Sequence, residues 1–191
     1  MDTETLVSWA LIVMRTLQPA APYEATFEAS ARVLVKVAEE APLYPRDQDG
    51  VRRTVALDLS IGNFEGALRQ DAEGDCDEKK PDGTCKKGSR PHSFCMFQIG
   101  ESNFRALKIT REQIQTDFEV CTRAAHTMIR ISFGVCRSKA DDDDRLAHYA
   151  HGGATCAGEK GEGLLESRHR MKKAKWIFGN ARFLADVELA R

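Results

Sequence analysis

Hydrophobic residues recur along most of this chain at the three- and four-residue spacing of α-helices. The spacing predicts amphipathic helices over residues 4–18 and 27–38, each followed closely by prolines that cannot continue a helix. From Gly50 to Phe64 two apolar rows share the segment, which makes the predicted helix apolar over much of its circumference. A helix of that kind belongs in the core.

The pattern changes in the middle of the chain. Residues 65–91 are polar, contain four glycines and show no sustained periodicity, which predicts a long loop or a short β-hairpin. Helical spacing resumes after a capping-box pattern and predicts one continuous helix over residues 110–131. Three further helices are expected: a short one that carries Tyr149 and ends at Gly152-Gly153, and longer ones over residues 164–178 and 181–189.

Composition and charge narrow the class of protein. The chain has 191 residues, 42% of them hydrophobic and 30% charged, as expected of a globular protein with a real core. Its 28 Lys and Arg nearly balance 29 Asp and Glu, which argues against a nucleic-acid-binding protein. The apolar run 6–14 is too short to span a membrane, and the acidic start of the chain contains no readable signal peptide. We expect a mainly α-helical single domain over residues 1–191, with an N-terminal helical part (1–45) and a motif-bearing core (46–180).

Six cysteines lie in the middle of the chain, and no Cys-x-x-Cys pair occurs among them. Disulfides in an oxidising compartment are favoured over free thiols in a reducing one. Short loops favour a bridge between Cys76 and Cys85 across a polar turn, and another between Cys136 and Cys156 around the short helix that carries Tyr149. Two cysteines are left, for which a third disulfide and two buried free thiols both stay open: Cys95 and Cys121.

Three segments follow one another in an informative order. Residues 65–75, EGALRQDAEGD, come directly after the predicted core helix and are similar to the stretch E-S-G-F-x-x-D-A-x-G-D. Residues 93–99, SFCMFQI, are similar to S-x-G-L-M-Q-I, and residues 148–152, HYAHG, to A-Y-N-A-G or Y-A-S-G. The three model stretches come from the lysozyme-like superfamily, which includes soluble lytic transglycosylases and goose-type lysozymes. The chain departs from them at Gly66, Cys95 and Ala150.

The resemblance implies a lysozyme-like α+β fold, with a small hairpin or loop region after the catalytic helix, that cleaves the β-1,4 bond between N-acetylmuramic acid and N-acetylglucosamine. Glu65 would take the place of the catalytic glutamate. Cleaving a glycosidic bond needs a carboxyl group that stays protonated near neutral pH, and burial raises a carboxyl pKa in that direction. A two-carboxylate mechanism is not supported at Ser93, where c-type lysozymes carry the second acid.

The resemblance also implies roles for six further residues. Three would contact or brace the substrate: Ser93, Gln98 and Tyr149. Three loop carboxylates are candidates for orienting a water molecule, and the sequence does not choose among them: Asp71, Asp75 and Asp77. Whether the product is hydrolysed or a 1,6-anhydro sugar stays open. The implied partner is the peptidoglycan glycan strand, bound by a monomer that is periplasmic, extracellular or virion-associated.

Other interpretations remain beside this one. A catalytically silent lysozyme-like module that binds glycan or a partner protein is the main alternative, and an intracellular thiol or metal protein is a weaker one. We expect no cofactor and no metal, because His148 and His151 have no third ligand at matching spacing. The basic run over residues 168–175 predicts a solvated helix face, with attraction of an anionic polymer such as the cell wall as the alternative.

Overall fold

A computed structural model of the chain describes residues 1–81, 85–138, 141–151, 156 and 162–189. These ranges contain nine α-helices: α1 (Thr3–Leu17), α2 (Phe27–Glu40), α3 (Gly50–Gly66), α4 (Phe104–Leu107), α5 (Arg111–Thr116), α6 (Phe118–Val135), α7 (Ala147–His151), α8 (Glu162–Gly179) and α9 (Ala181–Leu189). They also contain three short strands: β1 (Glu73–Gly74), β2 (Ser93–Phe94) and β3 (Ile99–Gly100). The protein is thus mainly helical with one small antiparallel sheet, in the order β1-β2-β3.

Helix α3 lies at the centre of the core. Every residue from Thr54 to Gly62 is buried, as its two apolar rows predict. Helix α8 packs along α3, and the hydroxyl of Ser60 donates to the backbone oxygen of Arg170 at 2.6 Å. Helices α1 and α2 also pack against α3. The end of α3 is therefore held rigidly where the chain passes into the polar segment.

The helix expected over residues 110–131 is in fact two helices, α5 and α6. The capping box at Thr110 is present, but the backbone is extended at Asp117, with φ −122° and ψ 101°. The Asp117 carboxylate accepts hydrogen bonds from the N–H groups of Glu119 and Val120 and so opens a new helix. An aspartate competes well for backbone donors, and the periodicity of the apolar residues does not register this interruption.

The small sheet braces the polar segment that follows α3. For this segment the sequence predicts either a long loop or a short β-hairpin. Strand β2 is central, and the segment from β1 to β2 forms a long excursion with one isolated bridge between Lys79 and Cys85. Its residues 82–84 lie outside the described part of the chain. The predicted helix end at Gly152-Gly153 also lies outside it, whereas the short helix carrying Tyr149 is present as α7.

All six cysteines are paired, which resolves the alternative left open for the third pair. The bridges are Cys76–Cys85, Cys95–Cys121 and Cys136–Cys156, with Cα–Cα separations of 5.6, 6.4 and 5.1 Å. These separations lie in the ordinary range for disulfides. Among the described residues, no helix is both long and apolar enough to cross a bilayer.

Candidate active site

A cleft of about 370 Å³ opens where the end of α3 meets the small sheet and helices α6 and α7. Its walls combine carboxylates, backbone and amide groups with apolar side chains. The lining residues are Glu65, Asp75, Phe97, Gln98, Ile99, Gly100, Ser102, Asn103, Met128, Ile131, His148, Tyr149 and Ala150. The cleft therefore brings together Glu65, Gln98 and Tyr149, one residue from each of the three segments that resemble the lysozyme-like superfamily.

Glu65 reaches this cleft because α3 ends abruptly after it. Ala67 and Leu68 both adopt positive φ, 50° and 62°, although neither is glycine. The N–H of Leu68 donates to the oxygen of Gly62 at 3.0 Å, and the Tyr23 hydroxyl donates to the oxygen of Ala67 at 2.7 Å. Left-handed backbone at non-glycine residues is costly and persists where the surroundings hold it in place. This turn ends α3 at Gly66, so Glu65 lies in the last turn of the helix.

The Glu65 carboxyl is largely buried, with 21% of its side chain exposed. Burial is the main cause that raises its pKa above the ordinary value, and the charges of Glu166 and Asp75 act in the same direction. Arg170 opposes them: its Nη2 and Nε lie 2.6 and 3.1 Å from Glu65 Oε1. Burial outweighs the arginine, so the pKa of Glu65 is raised overall. This is the direction that a general acid requires.

Tyr149 closes the cleft from the side of α7. Its hydroxyl donates to the backbone oxygen of Phe97 at 2.9 Å, and its N–H donates to the Ser132 hydroxyl at 3.0 Å. Burial, together with the nearby charge of Glu65, raises the Tyr149 pKa well above its ordinary value. The phenol therefore stays protonated across the physiological range and holds the turn before β3 in place.

Gln98 also lines the cleft, in a turn with positive φ at Cys95 and Gln98, 63° and 49°. The Gln98 amide nitrogen donates to the oxygen of Cys95 at 3.0 Å, and its amide oxygen accepts from the Ser93 hydroxyl at 2.7 Å. A Cβ at position 74 would lie 2.0 Å from that amide oxygen, so Gly74 is the residue that leaves room for it. Ser93 itself is fully buried and lies behind Gln98 instead of facing the cleft.

The three candidate water-orienting aspartates separate in the structure. Asp75 lines the cleft with Glu65, at an exposed position where its carboxylate lies 3.4 Å from Lys79 Nζ. Asp71 is exposed beside Arg69 and is not a cleft residue. Asp77 is paired with His92, 2.7 Å away, also outside the cleft. Of the three, Asp75 is the one that shares a cavity with Glu65.

The cleft continues along the sheet. A second depression of about 470 Å³ shares Asp75, Gly100 and Ser102 with it and extends to His92 and Glu101. The Asp77 and Glu101 carboxylates raise the pKa of His92, chiefly through the hydrogen bond that Asp77 accepts from the His92 ring. The groove thus has polar, charged walls beyond Glu65.

The sequence pattern predicts no role for Arg170, which pairs with Glu65 from outside the cleft lining. The basic run to which it belongs predicts a solvated face, but Arg170 is only 8% exposed. Its position carries a signal nonetheless, because it falls in a buried row along α8 with Ser167, Ala174 and Ile177. A charged residue on a buried helix stripe needs a partner, and here the partner is Glu65.

The comparisons with known proteins add no relatives. No family model matches the chain, and no curated protein or solved structure matches it significantly. Among the described residues, no cluster of three or more His, Cys, Asp or Glu side chains is placed to hold a metal ion. The His151 side chain, one of the two histidines considered as ligands, lies outside the described part.

Proposed function

We propose that the protein is a glycosidase of the lysozyme-like type that cleaves the bond between N-acetylmuramic acid and N-acetylglucosamine in peptidoglycan. The observation that carries the proposal is the convergence of Glu65, Gln98 and Tyr149 on one cleft. They come from three separate segments, in the order that the superfamily shows. The lysozyme-like fold belongs to the proposal and is consistent with a mainly helical chain that carries a small sheet.

The geometry supports a mechanism built on a single glutamate. Protonated Glu65 donates its proton to the glycosidic oxygen as the bond from that oxygen to the anomeric carbon breaks. The resulting Glu65 carboxylate then takes a proton from the nucleophile that attacks the anomeric carbon. With Asp75 in the same cleft, we infer that this nucleophile is water, which makes the reaction hydrolysis.

The surroundings of the cleft agree with a polymeric substrate in an oxidising compartment. The groove runs past Glu65 toward His92 and Glu101, so a chain of sugars would meet polar walls on this side of Glu65. Three disulfides are typical of secreted, periplasmic or virion proteins. Both features support a protein that acts on the cell wall.

One observation favours a different function. The ion pair between Arg170 and Glu65 stabilises the ionised carboxylate, which is the wrong form for proton donation. A silent module that binds glycan without cleaving it would tolerate this arrangement. The two functions are separated by testing cleavage and binding on the same variants.

The test uses purified peptidoglycan with wild type, Glu65→Gln and the matched control Asp71→Asn, which changes an exposed carboxylate outside the cleft. We expect Glu65→Gln to lower the rate of fragment release by about 10²–10⁴, the usual contribution of a general acid, while sedimentation with peptidoglycan is retained. Asp71→Asn should behave as wild type. A wild type that binds peptidoglycan but releases no fragments favours the silent module.

A further inference from the structure

The two oxygens of the Glu65 carboxyl have different surroundings. Oε1 accepts hydrogen bonds from both Nη2 and Nε of Arg170. Among the described residues, Oε2 accepts none, although Glu65 lines the cleft. A carboxylate oxygen has about two lone-pair positions, so the guanidinium occupies both positions on Oε1. A proton on the carboxyl therefore belongs on Oε2.

Arg170 acts from behind the cleft. It is 8% exposed and is not one of the cleft residues. Its backbone oxygen accepts a hydrogen bond from the Ser60 hydroxyl at 2.6 Å. The remaining guanidinium nitrogen, Nη1, lies 3.2 Å from Glu166 Oε2. The backbone of Arg170 is thus held against α3, and its guanidinium lies between the carboxylates of Glu65 and Glu166.

Glu166 limits the effect of Arg170 on Glu65. It lies one turn before Arg170 on α8, is about half exposed, and raises the pKa of Glu65 through its charge. The titratable and charged groups that face Glu65 or share its cleft are Arg170, Glu166, Asp75, Tyr149 and His148. Of these, Arg170 and Glu166 lie behind the carboxyl, whereas the others line the cleft.

We propose that Arg170, with Glu166 as its counter-charge, is the positioning residue of this site: it holds Oε1 of Glu65 and leaves Oε2 as the oxygen that carries and delivers the proton. After the proton has left, the same two hydrogen bonds stabilise the carboxylate that must accept a proton from the nucleophile. The inference rests on the proposed glycosidase function, in which Glu65 works in both directions.

The experiment titrates the Glu65 carboxyl by carbon-13 NMR in the intact protein, with its signal assigned by comparison with Glu65→Gln. Glu166→Gln removes a neighbouring negative charge and should lower the pKa of Glu65. Arg170→Gln removes the positive charge and should raise it. Because Arg170→Gln leaves a buried site without its ion pair and can fail to fold, Arg170→Lys is measured beside it.

Arg170→Lys keeps the charge but loses the two-pronged grip, so its effect should appear in kcat, with a loss of about 100-fold and little change in KM. Opposite shifts of the Glu65 pKa in Glu166→Gln and Arg170→Gln, with a kcat defect in Arg170→Lys, support the proposal. An unchanged Glu65 pKa in Glu166→Gln, or a fully active Arg170→Lys, overturns it.

The titration needs no substrate, so the two proposals can fail separately. If the Glu65 pKa shifts as expected but wild type releases no fragments from peptidoglycan, Arg170 still positions Glu65 and the glycosidase function is overturned. If wild type cleaves peptidoglycan and the Glu65 pKa is unchanged in both Glu166→Gln and Arg170→Gln, the glycosidase function stands and the role of Arg170 is overturned.

Discussion

Two opposing effects set the pKa of Glu65: burial of its carboxyl and the charge of Arg170. Burial disfavours the charged carboxylate, and the arginine favours it. Because burial prevails, the folded protein binds a proton on Glu65 at pH values where the unfolded chain has already released it. Folding stability must therefore depend on pH through this one residue.

The sign of that dependence follows from linkage. Glu65 contributes most to stability below its unfolded pKa, near the ordinary value of 4.5, and the contribution is lost as pH rises through its raised folded pKa. The free energy of unfolding of wild type, minus that of Glu65→Gln, should fall as pH rises from about 4 and then level off. Urea unfolding at a series of pH values measures this difference. A difference that is constant with pH, or rises, contradicts the raised pKa.

Single residues differ in how far the sequence reveals them. Glu65, Gln98 and Tyr149 could be proposed because each lies in a recognisable segment, and the structure places all three on the cleft. Ser93 lies in such a segment too, but both residues of β2 are buried, and the Ser93 hydroxyl donates to Gln98, which the resemblance of a segment does not reveal. Arg170 depends on a partner 105 residues away, which no local pattern records.

Between elements, α3 and α6 are joined through a buried contact between an aspartate and a histidine. Asp58 is fully buried, His126 is 1% exposed, and His126 Nε2 lies 2.9 Å from an Asp58 oxygen. Burial raises the pKa of Asp58, while the histidine lowers it in part. The contact gives the buried Asp58 carboxyl a hydrogen-bond partner that it could not lack without a large loss of stability.

Removing one member of this pair should cost more than removing both. We expect Asp58→Leu to lower the free energy of unfolding by about 3–5 kcal/mol, because it leaves His126 buried without its acceptor. The double variant Asp58→Leu/His126→Leu should recover much of that loss, since apolar side chains do not need polar partners. Chemical denaturation of the two single variants and the double variant completes the cycle. Losses that simply add would mean that the two side chains are not coupled.

The helices show what periodicity can and cannot predict. Helices α1, α2, α3, α8 and α9 lie within a few residues of their predicted bounds, because apolar spacing and flanking prolines or glycines carry the information. The break between α5 and α6 was missed, since the apolar spacing continues across Asp117 while the backbone does not. The strands are two residues long and too short to show an alternating pattern.

At the scale of the whole molecule, the disulfides fix the segments that form the cleft. Cys95–Cys121 ties the turn carrying Gln98 to α6, and Cys76–Cys85 closes the segment that follows Asp75. The pairings Cys76–Cys85 and Cys136–Cys156 could be inferred from loop length, because cysteines close in sequence are the easiest to bring together. The third pairing followed only from the fold, which brings α6 to the turn before β3.

The loop lengths also order the contributions of these bridges to stability. The separation is 26 residues for Cys95–Cys121 and 9 for Cys76–Cys85. By constraining the unfolded chain, Cys95–Cys121 should add roughly 3–4 kcal/mol to the free energy of unfolding, and Cys76–Cys85 roughly 2–3 kcal/mol. We therefore expect Cys95→Ala/Cys121→Ala to be less stable than Cys76→Ala/Cys85→Ala. Thermal and urea unfolding of both variants under the same conditions measures the order. The reverse order would show that native contacts, and not the unfolded chain, dominate.

We propose above all that this chain cuts the glycan strand and that Glu65 is needed for the cut. Mass analysis of purified peptidoglycan after digestion tests it most directly, because each fragment records which bond was broken and whether water was added. We expect wild type to release fragments that end in reducing N-acetylmuramic acid, the hydrolysed form. Glu65→Gln should release none above background. Fragments cut at another bond, equal release by Glu65→Gln, or no release by wild type would contradict it.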